Sequence, residues 1–116
     1  MKCFLILFIF TSCNLGNQNK TLLNRKEIVS AEINQVGDSV SKQMSPREIE
    51  LFVTKWNTSR SRGIIKFLAQ YNVAMYLKNG DTVTFRTHHD LIKQSGDATY
   101  TTNDRDFFSN LYRTAK

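Results

Sequence analysis

Residues 71–87 read YNVAMYLKNGDTVTFRT, and this stretch decides the fold that the sequence predicts. Apolar and polar side chains alternate over residues 71–78, which is the period of a strand with one buried face. The Asn79-Gly80 pair is typical of a tight turn, and residues 82–87 follow as a second strand. We therefore expect an antiparallel hairpin in this part of the chain.

The loop length of this hairpin follows from which side chains would face each other. A two-residue turn would pair Met75 with Thr84 and mix apolar with polar side chains on each face. A three-residue loop over 78–80 pairs Met75 with Val83 instead and keeps one face apolar. We therefore expect the three-residue loop, with Gly80 in a left-handed conformation as a bulge.

A helix is predicted upstream of the hairpin, beginning at Ser45-Pro46-Arg47-Glu48. Ser45 can accept a hydrogen bond from a free backbone N–H group, and the Glu48 side chain can bond back to Ser45. Pro46 fits the first helical position. The apolar residues that follow have helical spacing and form one stripe that would face a core: Ile49, Phe52, Val53 and Trp56.

Shorter elements are predicted around these two. Residues 57–63 are expected to form a polar loop, and residues 64–69 a strand. Two further short strands, at 91–94 and 99–102, enclose a turn at Gly96-Asp97. A second helix follows near the end of the chain, and its apolar face contains Phe107, Phe108, Leu111 and Tyr112.

Residues 27–44 allow two interpretations. Their apolar residues have helical spacing, but Gly37-Asp38-Ser39 would interrupt a helix, and β-branched residues are plentiful. We prefer a hairpin, in which residues 27–35 return as residues 39–43. The predicted fold is then α+β, a small antiparallel sheet meander packed against two helices in the order β-β-α-β-β-β-β-α.

The first thirteen residues have the features of an export signal. Lys2 precedes an unbroken apolar run over residues 3–10, and small residues lead to Cys13. A helix of this length would cover roughly 12 Å, far less than the ~30 Å hydrocarbon core of a bilayer. The run is therefore too short to span a membrane.

The boundary sequence Phe10-Thr11-Ser12-Cys13 resembles the lipobox of bacterial lipoproteins, with Phe10 where Leu is usual. The resemblance implies cleavage before Cys13 and acylation of its thiol, with palmitate among the acyl chains. The alternative is an ordinary cysteine near a signal that is cleaved elsewhere. The cysteine count favours acylation, because Cys3 leaves with the signal and a lone free thiol is unusual in an oxidising compartment.

The predicted organisation therefore has three parts. Residues 1–12 form a lipoprotein signal peptide, residues 13–26 a lipidated cysteine with a flexible polar tether, and residues 27–116 a single α+β domain. Several acyl chains on one terminus give firm attachment to a bilayer. The expected location is the cell envelope, anchored to a membrane and facing the periplasm or the cell surface.

Two sites in the domain carry a further resemblance. Lys55-Trp56-Asn57 ends the predicted helix, and Leu77-Lys78-Asn79-Gly80-Asp81 forms the hairpin turn. On these residues, segment 45–113 resembles small uncharacterised lipoproteins of some bacteria, in which a helix ending in Trp-Asn precedes a meander with an Asn-Gly or Asp-Gly turn. The resemblance supports the fold and implies no activity.

His88-His89-Asp90 is the cluster best suited to metal binding or acid–base chemistry. Adjacent residues on a strand point to opposite faces, so two neighbouring histidines rarely bind one metal unless a turn brings them together. We therefore expect a solvated turn rather than a metal site. The sequence has no Gly-x-Ser-x-Gly motif and no glycine-rich phosphate loop, which argues against an enzyme.

Sixteen Lys and Arg residues against ten Asp and Glu give a formal net charge of +6. A basic lipoprotein is attracted to anionic headgroups, acidic glycans or acidic proteins, whereas export argues against nucleic acid. Six basic residues could form a basic face on the sheet, with Tyr76 and Tyr100 as stacking surfaces: Arg60, Arg62, Lys66, Lys78, Arg86 and Lys93. The alternative, which we favour at this point, is an ordinary solvated outer face.

The sequence thus predicts a membrane-anchored lipoprotein with a small non-catalytic binding or interaction domain, no cofactor, and an envelope protein or anionic glycan as partner. A second hypothesis is an envelope hydrolase or metal-dependent enzyme that uses His88, His89 and Asp90. A third is an inhibitor or immunity-type accessory protein. The ligand, the membrane leaflet and the oligomeric state stay open at this stage.

Overall fold

The computed structural model describes residues 20–94, 96 and 98–116. The signal peptide, the lipobox and Cys13 lie outside the described residues, as does Asp97 of the turn expected at Gly96-Asp97. Among the residues that are described, no helix is long and apolar enough to cross a bilayer.

The fold is a seven-stranded antiparallel sheet with two helices. A short 3-10 turn at Arg25–Glu27 leads into the first strand. The elements in chain order are β1 (Ile28–Gln35), β2 (Ser41–Gln43), α1 (Pro46–Thr58), β3 (Arg60–Ile64), β4 (Tyr71–Leu77), β5 (Thr82–His88), β6 (Leu91–Lys93), β7 (Ala98–Thr101) and α2 (Phe107–Thr114). The predicted α+β class is confirmed, with one more strand between the helices than the predicted order contained.

The strand order across the sheet is β2-β1-β4-β5-β6-β7-β3. Strands β4 to β7 form the expected meander, and β1 and β2 form the expected hairpin over residues 28–43. The helical alternative for this segment is therefore wrong. The glycine of the connecting turn, Gly37, has a φ of +94°, which a continuous helix does not allow.

The central hairpin has the register that its apolar face requires. Met75 lies opposite Val83 and Val73 opposite Phe85, as the three-residue loop predicts. Gly80 has a φ of +93°, so its left-handed conformation is also confirmed. The face with Val73, Met75 and Phe85 is buried. This burial selects the register, because a shift of one residue would turn the apolar side chains of the shifted strand towards solvent.

The segment after α1 differs from the prediction. The expected polar loop at 57–63 is wrong in most of its length, since α1 continues to Thr58 and β3 begins at Arg60. The expected strand at 64–69 is wrong as well, because residues 65–69 are not in a strand. β3 is an edge strand whose five residues are all exposed, so it has no apolar alternation from which it could have been predicted.

Helix α1 begins with the predicted capping box. The Ser45 side chain accepts a hydrogen bond from the Glu48 backbone N–H, and the Ser45 N–H donates to the Glu48 carboxylate. The predicted apolar stripe of α1 is buried against the sheet. Trp56, which is fully buried, contacts Phe85 at a ring-centroid distance of 5.0 Å and Tyr100 at 5.1 Å, both edge to face.

Residues 20–26, which the sequence places in the tether, contact helix α1. The Trp56 indole N–H donates to the Thr21 carbonyl at 2.9 Å. The Asn57 side chain makes two hydrogen bonds with Leu23, accepting from its N–H at 2.8 Å and donating to its carbonyl at 2.9 Å. In the described structure this segment therefore packs with the domain.

We expect Gly80→Ala to lower the free energy of unfolding by about 1–2 kcal/mol, because a Cβ is disfavoured in the left-handed conformation. No atom lies within 4 Å of the added Cβ, so the loss would come from the backbone and not from a clash. Urea denaturation measures it. Gly80→Asn is the control and should lose less, since Asn tolerates this conformation; an alanine variant as stable as the wild type would contradict the assignment.

We expect Asn57→Ala to lower the free energy of unfolding by about 1–2 kcal/mol, since two part-buried hydrogen bonds are lost. The Leu23 amide should then exchange with deuterium faster, which hydrogen-exchange NMR measures. Thr54→Ala, at an exposed position of the same helix, is the control. Unchanged exchange at Leu23 would show that Asn57 does not hold the N-terminal segment.

Candidate functional site

The two faces of the sheet are covered differently. The helices pack on the face that carries Trp56's neighbours, Phe85 and Tyr100. Side chains on the opposite face, called here the outer face, come from the alternate positions of each strand. Arg86 and Lys93 belong to the outer face, because their strand neighbours Phe85 and Ile92 are buried in the core.

Residues 65–70, called here the crossover segment, cover part of the outer face. They connect β3 at one edge of the sheet with β4 near its centre, so they pass β7, β6 and β5. Thr99 donates a hydrogen bond to the Ile65 carbonyl at 2.9 Å, and the Lys93 ammonium lies 5.4 Å from the centre of the Phe67 ring. Thr99 and Lys93 are consequently buried although they lie on the outer face.

Beside the crossover segment, the outer face forms an open trough of about 480 Å³. Strands β1, β4, β5 and β6 all contribute to its lining. Its polar and charged lining includes Glu32, Asn34, Asn72, Thr84, Arg86 and Lys93. Amides and a hydroxyl line the middle of the trough, and charged groups lie among them.

The cationic part of the trough is a pair of like charges. Arg86 and Lys93 are directly opposite each other on β5 and β6. Two cations in this arrangement repel each other and destabilise the sheet. Among the residues that the structure describes, no carboxylate oxygen lies within 4.0 Å of either cation. The ion pair found among these residues joins Lys55 and Asp104 at 3.2 Å, outside the trough.

The acidic group of the trough, Glu32, has its own partners. It accepts a hydrogen bond from the Gln43 side chain at 3.4 Å and contacts the Tyr76 hydroxyl. Partial burial raises the pKa of Tyr76, and the hydrogen bond to Glu32 and the charge of its carboxylate raise it further. Tyr76 is 37% exposed, so its ring borders solvent on the outer face.

The predicted His88-His89-Asp90 cluster lies at the turn between β5 and β6. His89 has a φ of 54°, and this turn brings the two imidazole rings to a centroid distance of 4.3 Å. The Asp90 carboxylate points elsewhere and accepts a hydrogen bond from the Thr101 hydroxyl at 2.6 Å. Within the described part of the chain, no three His, Cys, Asp or Glu side chains converge as metal ligands would.

The Asp90 carboxylate is held in its charged form. The hydrogen bond from Thr101 lowers the pKa of Asp90 most, whereas burial raises it. A backbone hydrogen bond and the charges of Arg105 and Arg62 lower the pKa further, so it lies below the ordinary value. The Asp90 carbonyl also accepts the Thr102 N–H at 2.9 Å. Asp90 thus ties the β5–β6 turn to the end of β7.

The six basic residues predicted as one face occupy three places. Lys66, Arg86 and Lys93 line a second cavity of about 540 Å³ at the crossover segment. Arg60 and Arg62 lie on β3 at the edge of the sheet, and Lys78 lies in the loop of the central hairpin. Of the two tyrosines proposed as stacking surfaces, Tyr76 borders the outer face, whereas Tyr100 is buried against Trp56.

The polar residues of the trough were missed by the sequence analysis. Asn34, Asn72 and Thr84 have no motif of their own. Their signal is the alternation of strands β1, β4 and β5, which assigns them to the face opposite the core. The order of the strands brings these three residues together, and this order cannot be predicted from the alternation within a single strand.

No protein-family model, curated protein or solved structure matches this chain.

We expect Thr101→Val to raise the pKa of Asp90 and to lower the free energy of unfolding at pH 7 by about 1–2 kcal/mol, because a charge-assisted hydrogen bond is lost. The folded-state pKa of Asp90 is below the unfolded value of about 3.9. The stability that the Thr101 hydrogen bond provides is therefore fully present above about pH 3.9, and it is lost as the pH falls through the folded-state pKa. The two proteins should therefore differ less in strong acid.

Carboxyl NMR titration and urea denaturation at pH 7 and in strong acid measure both effects. Thr84→Val, on the exposed part of the outer face, is the matched control and should change neither quantity. A stability difference between wild type and Thr101→Val that is independent of pH would contradict the role of the Asp90 carboxylate.

Proposed function

We propose that this protein is a membrane-anchored, non-catalytic binding protein whose trough on the outer face binds an anionic glycan. The observation that carries the proposal is the pair Arg86 and Lys93, two cations held opposite each other at the cationic part of the trough. Their repulsion weakens the empty fold and is relieved when an anion lies between them. A carboxylate or sulfate on a sugar supplies that anion.

The rest of the trough suits a sugar. The Asn72 amide offers two donors and one acceptor, and Thr84 and Glu32 add a hydroxyl and a carboxylate. The Asn34 side-chain N–H groups already donate to the Asp38 and Val40 carbonyls at 2.8 Å and 3.1 Å, so Asn34 offers its amide oxygen. Sugar hydroxyl groups both donate and accept hydrogen bonds, so they match such a lining. Tyr76 borders the same face and offers a partly exposed ring for packing against a sugar.

The shape of the trough favours a segment of a long chain over a small molecule. It is open along one side and lies on the surface of a sheet, whereas pockets for small ligands enclose most of the ligand. A polymer can lie along the strands and leave the trough at both ends. Binding of this kind needs no closure of the protein.

The state of Asp90 favours binding over hydrolysis. In the alternative enzyme hypothesis Asp90 supplies the carboxyl group that acts with His88 and His89. Its carboxylate is engaged by Thr101 and its pKa is lowered, so it is a poor proton donor at neutral pH. The paired imidazole rings therefore lack a carboxylic acid beside them at this turn.

Anchoring through a lipid on Cys13 remains part of this proposal. Residues 1–19 lie outside the described structure, and the support comes from the lipobox resemblance and the apolar run before it. The anchor would hold the trough at the membrane surface, where glycans of the envelope are dense. No cofactor is invoked for this activity.

We expect the mature protein in detergent micelles to bind a short oligogalacturonate, a glycan with one carboxylate per sugar, and to bind a neutral oligosaccharide of equal length much more weakly. Arg86→Gln should weaken oligogalacturonate binding about tenfold, as the loss of one charge-assisted contact implies. Isothermal titration calorimetry measures the affinity, and the Kd should rise with salt.

Lys78→Gln is the matched control, because it removes the same charge from an exposed position in the hairpin loop, outside the trough. Asn72→Ala tests the uncharged part of the lining and should also weaken binding. Equal losses for Arg86→Gln and Lys78→Gln would mean that only net charge attracts the glycan, and would contradict a site in the trough.

A further inference from the structure

We propose that the crossover segment and strand β3 form a surface that lies on an anionic lipid bilayer and fixes the orientation of the domain there. This inference rests on the proposed lipid anchor for its geometry, and it concerns a surface separate from that anchor. The occupant is a bilayer that contains acidic headgroups.

Two large apolar side chains on this surface are left largely uncovered by the residues that the structure describes. Leu68 is 87% exposed and Ile64 75%, the highest values among the exposed large hydrophobic residues of the described chain. Exposure alternates along the segment: residues 64, 66 and 68 are exposed, while 65, 67 and 69 are half-buried against the sheet. Lys66 and Leu68 therefore point away from the sheet, and Ile64 lies beside them at its edge, as the last residue of β3.

The charged residues of β3 and the crossover segment, all of which the structure describes, are all basic. Arg60, Arg62 and Lys66 are exposed beside them. The sequence has no acidic residue between Glu50 and Asp81, so the whole stretch that contains this surface is basic. The charge of Arg62 lowers the pKa of the Asp90 carboxyl group, and this carboxylate accepts a hydrogen bond from the Thr101 hydroxyl. Exposed leucine and isoleucine within a basic surface are typical of proteins that rest at the interface of an anionic bilayer.

Lys20, the first residue that the structure describes, lies at the β3 edge of the sheet. Lys20 is held where β3 begins, since its ammonium donates to the Ser59 carbonyl at 2.8 Å and to the Ser59 hydroxyl at 3.1 Å. The chain from Cys13 to Lys20 reaches at most roughly 25 Å when extended. A lipid on Cys13 is thus at most roughly 25 Å from the start of β3, whereas β2 lies six strand spacings from β3, roughly 30 Å across the sheet.

The consequence for binding is a defined place for the trough. Leu68 and Lys66 line one cavity with Arg86 and Lys93, and the last two also line the trough. Contact of the crossover segment with headgroups therefore places the cationic part of the trough beside the membrane. The opposite part, near Glu32 and the β1–β2 hairpin, faces away.

The test uses the mature protein reconstituted in vesicles, with an environment-sensitive NBD fluorophore on a cysteine introduced by Leu68→Cys. Val40→Cys is the matched control, because Val40 is another exposed apolar residue, 57% exposed, next to the opposite edge strand β2. We expect a blue shift and a several-fold rise in emission at position 68 in vesicles of phosphatidylglycerol and phosphatidylcholine. In vesicles of phosphatidylcholine alone, the emission at position 68 should change little. The emission at position 40 should change in neither kind of vesicle.

A second pair of variants separates charge from apolar contact. Arg62→Gln with Lys66→Gln, in the labelled protein, should weaken membrane contact at position 68 roughly fivefold for each charge removed. Lys26→Gln with Lys78→Gln removes equal charge from exposed positions elsewhere and should leave the contact unchanged. These four residues are exposed, so the substitutions leave the core intact.

Position 68 showing the same emission in vesicles and in buffer, or equal changes at positions 40 and 68, would overturn the proposal. Emission already shifted in the absence of vesicles would overturn it in favour of a protein partner or a second copy. Mass spectrometry of the native N-terminus reports the anchor separately. An acylated Cys13 with no change in emission at position 68 would support the anchor and contradict this membrane surface. An unmodified Cys13 with the full change would support the membrane surface and contradict the anchor.

Discussion

The burial of Trp56 is the contact on which the rest of this structure depends. Its ring packs edge to face against Phe85 of the central hairpin and Tyr100 of β7, and it is fully buried. Helix α1 is therefore attached to two strands of the meander, β5 and β7, through one side chain. Its indole N–H also satisfies the Thr21 carbonyl, so the N-terminal segment is held in the same place. Burial of so large an apolar surface is the main favourable term in a domain of this size.

The second constraint is the position of β3 at the edge of the sheet. Because β3 pairs with β7 and the next strand lies between β1 and β5, residues 65–70 must cross three strands. The crossing buries Lys93 and Thr99 on the outer face and leaves Leu68 exposed. The trough lies beside it, between Glu32 of β1 and Lys93 of β6. One connection thus produces both the proposed binding site and the proposed membrane surface.

Much of the fold could be predicted from local patterns. The capping box at Ser45, the stripe that ends at Trp56 and the register of the central hairpin each depend on residues close in the sequence, and each is confirmed. β3 could not be predicted in this way, because all five of its residues are exposed and its pairing partner β7 lies far along the chain. The candidate site was predicted in part: Arg86 and Lys93 were among the six basic residues, and the trough that joins them to Asn34 and Asn72 depends on the strand order.

The sequence by itself determined the turn of the central hairpin, the start of helix α1 and the apolar face of strands β4 and β5, because these properties depend on neighbours within a few positions. It also supplied the apolar run and the cysteine at its end, on which the proposed anchor rests. Only the tertiary structure decided that Arg86 and Lys93 lie opposite each other, and that Asp90 is held by Thr101. Pairing between distant strands sets these contacts, and it is selected by the packing of the whole core rather than by any local pattern.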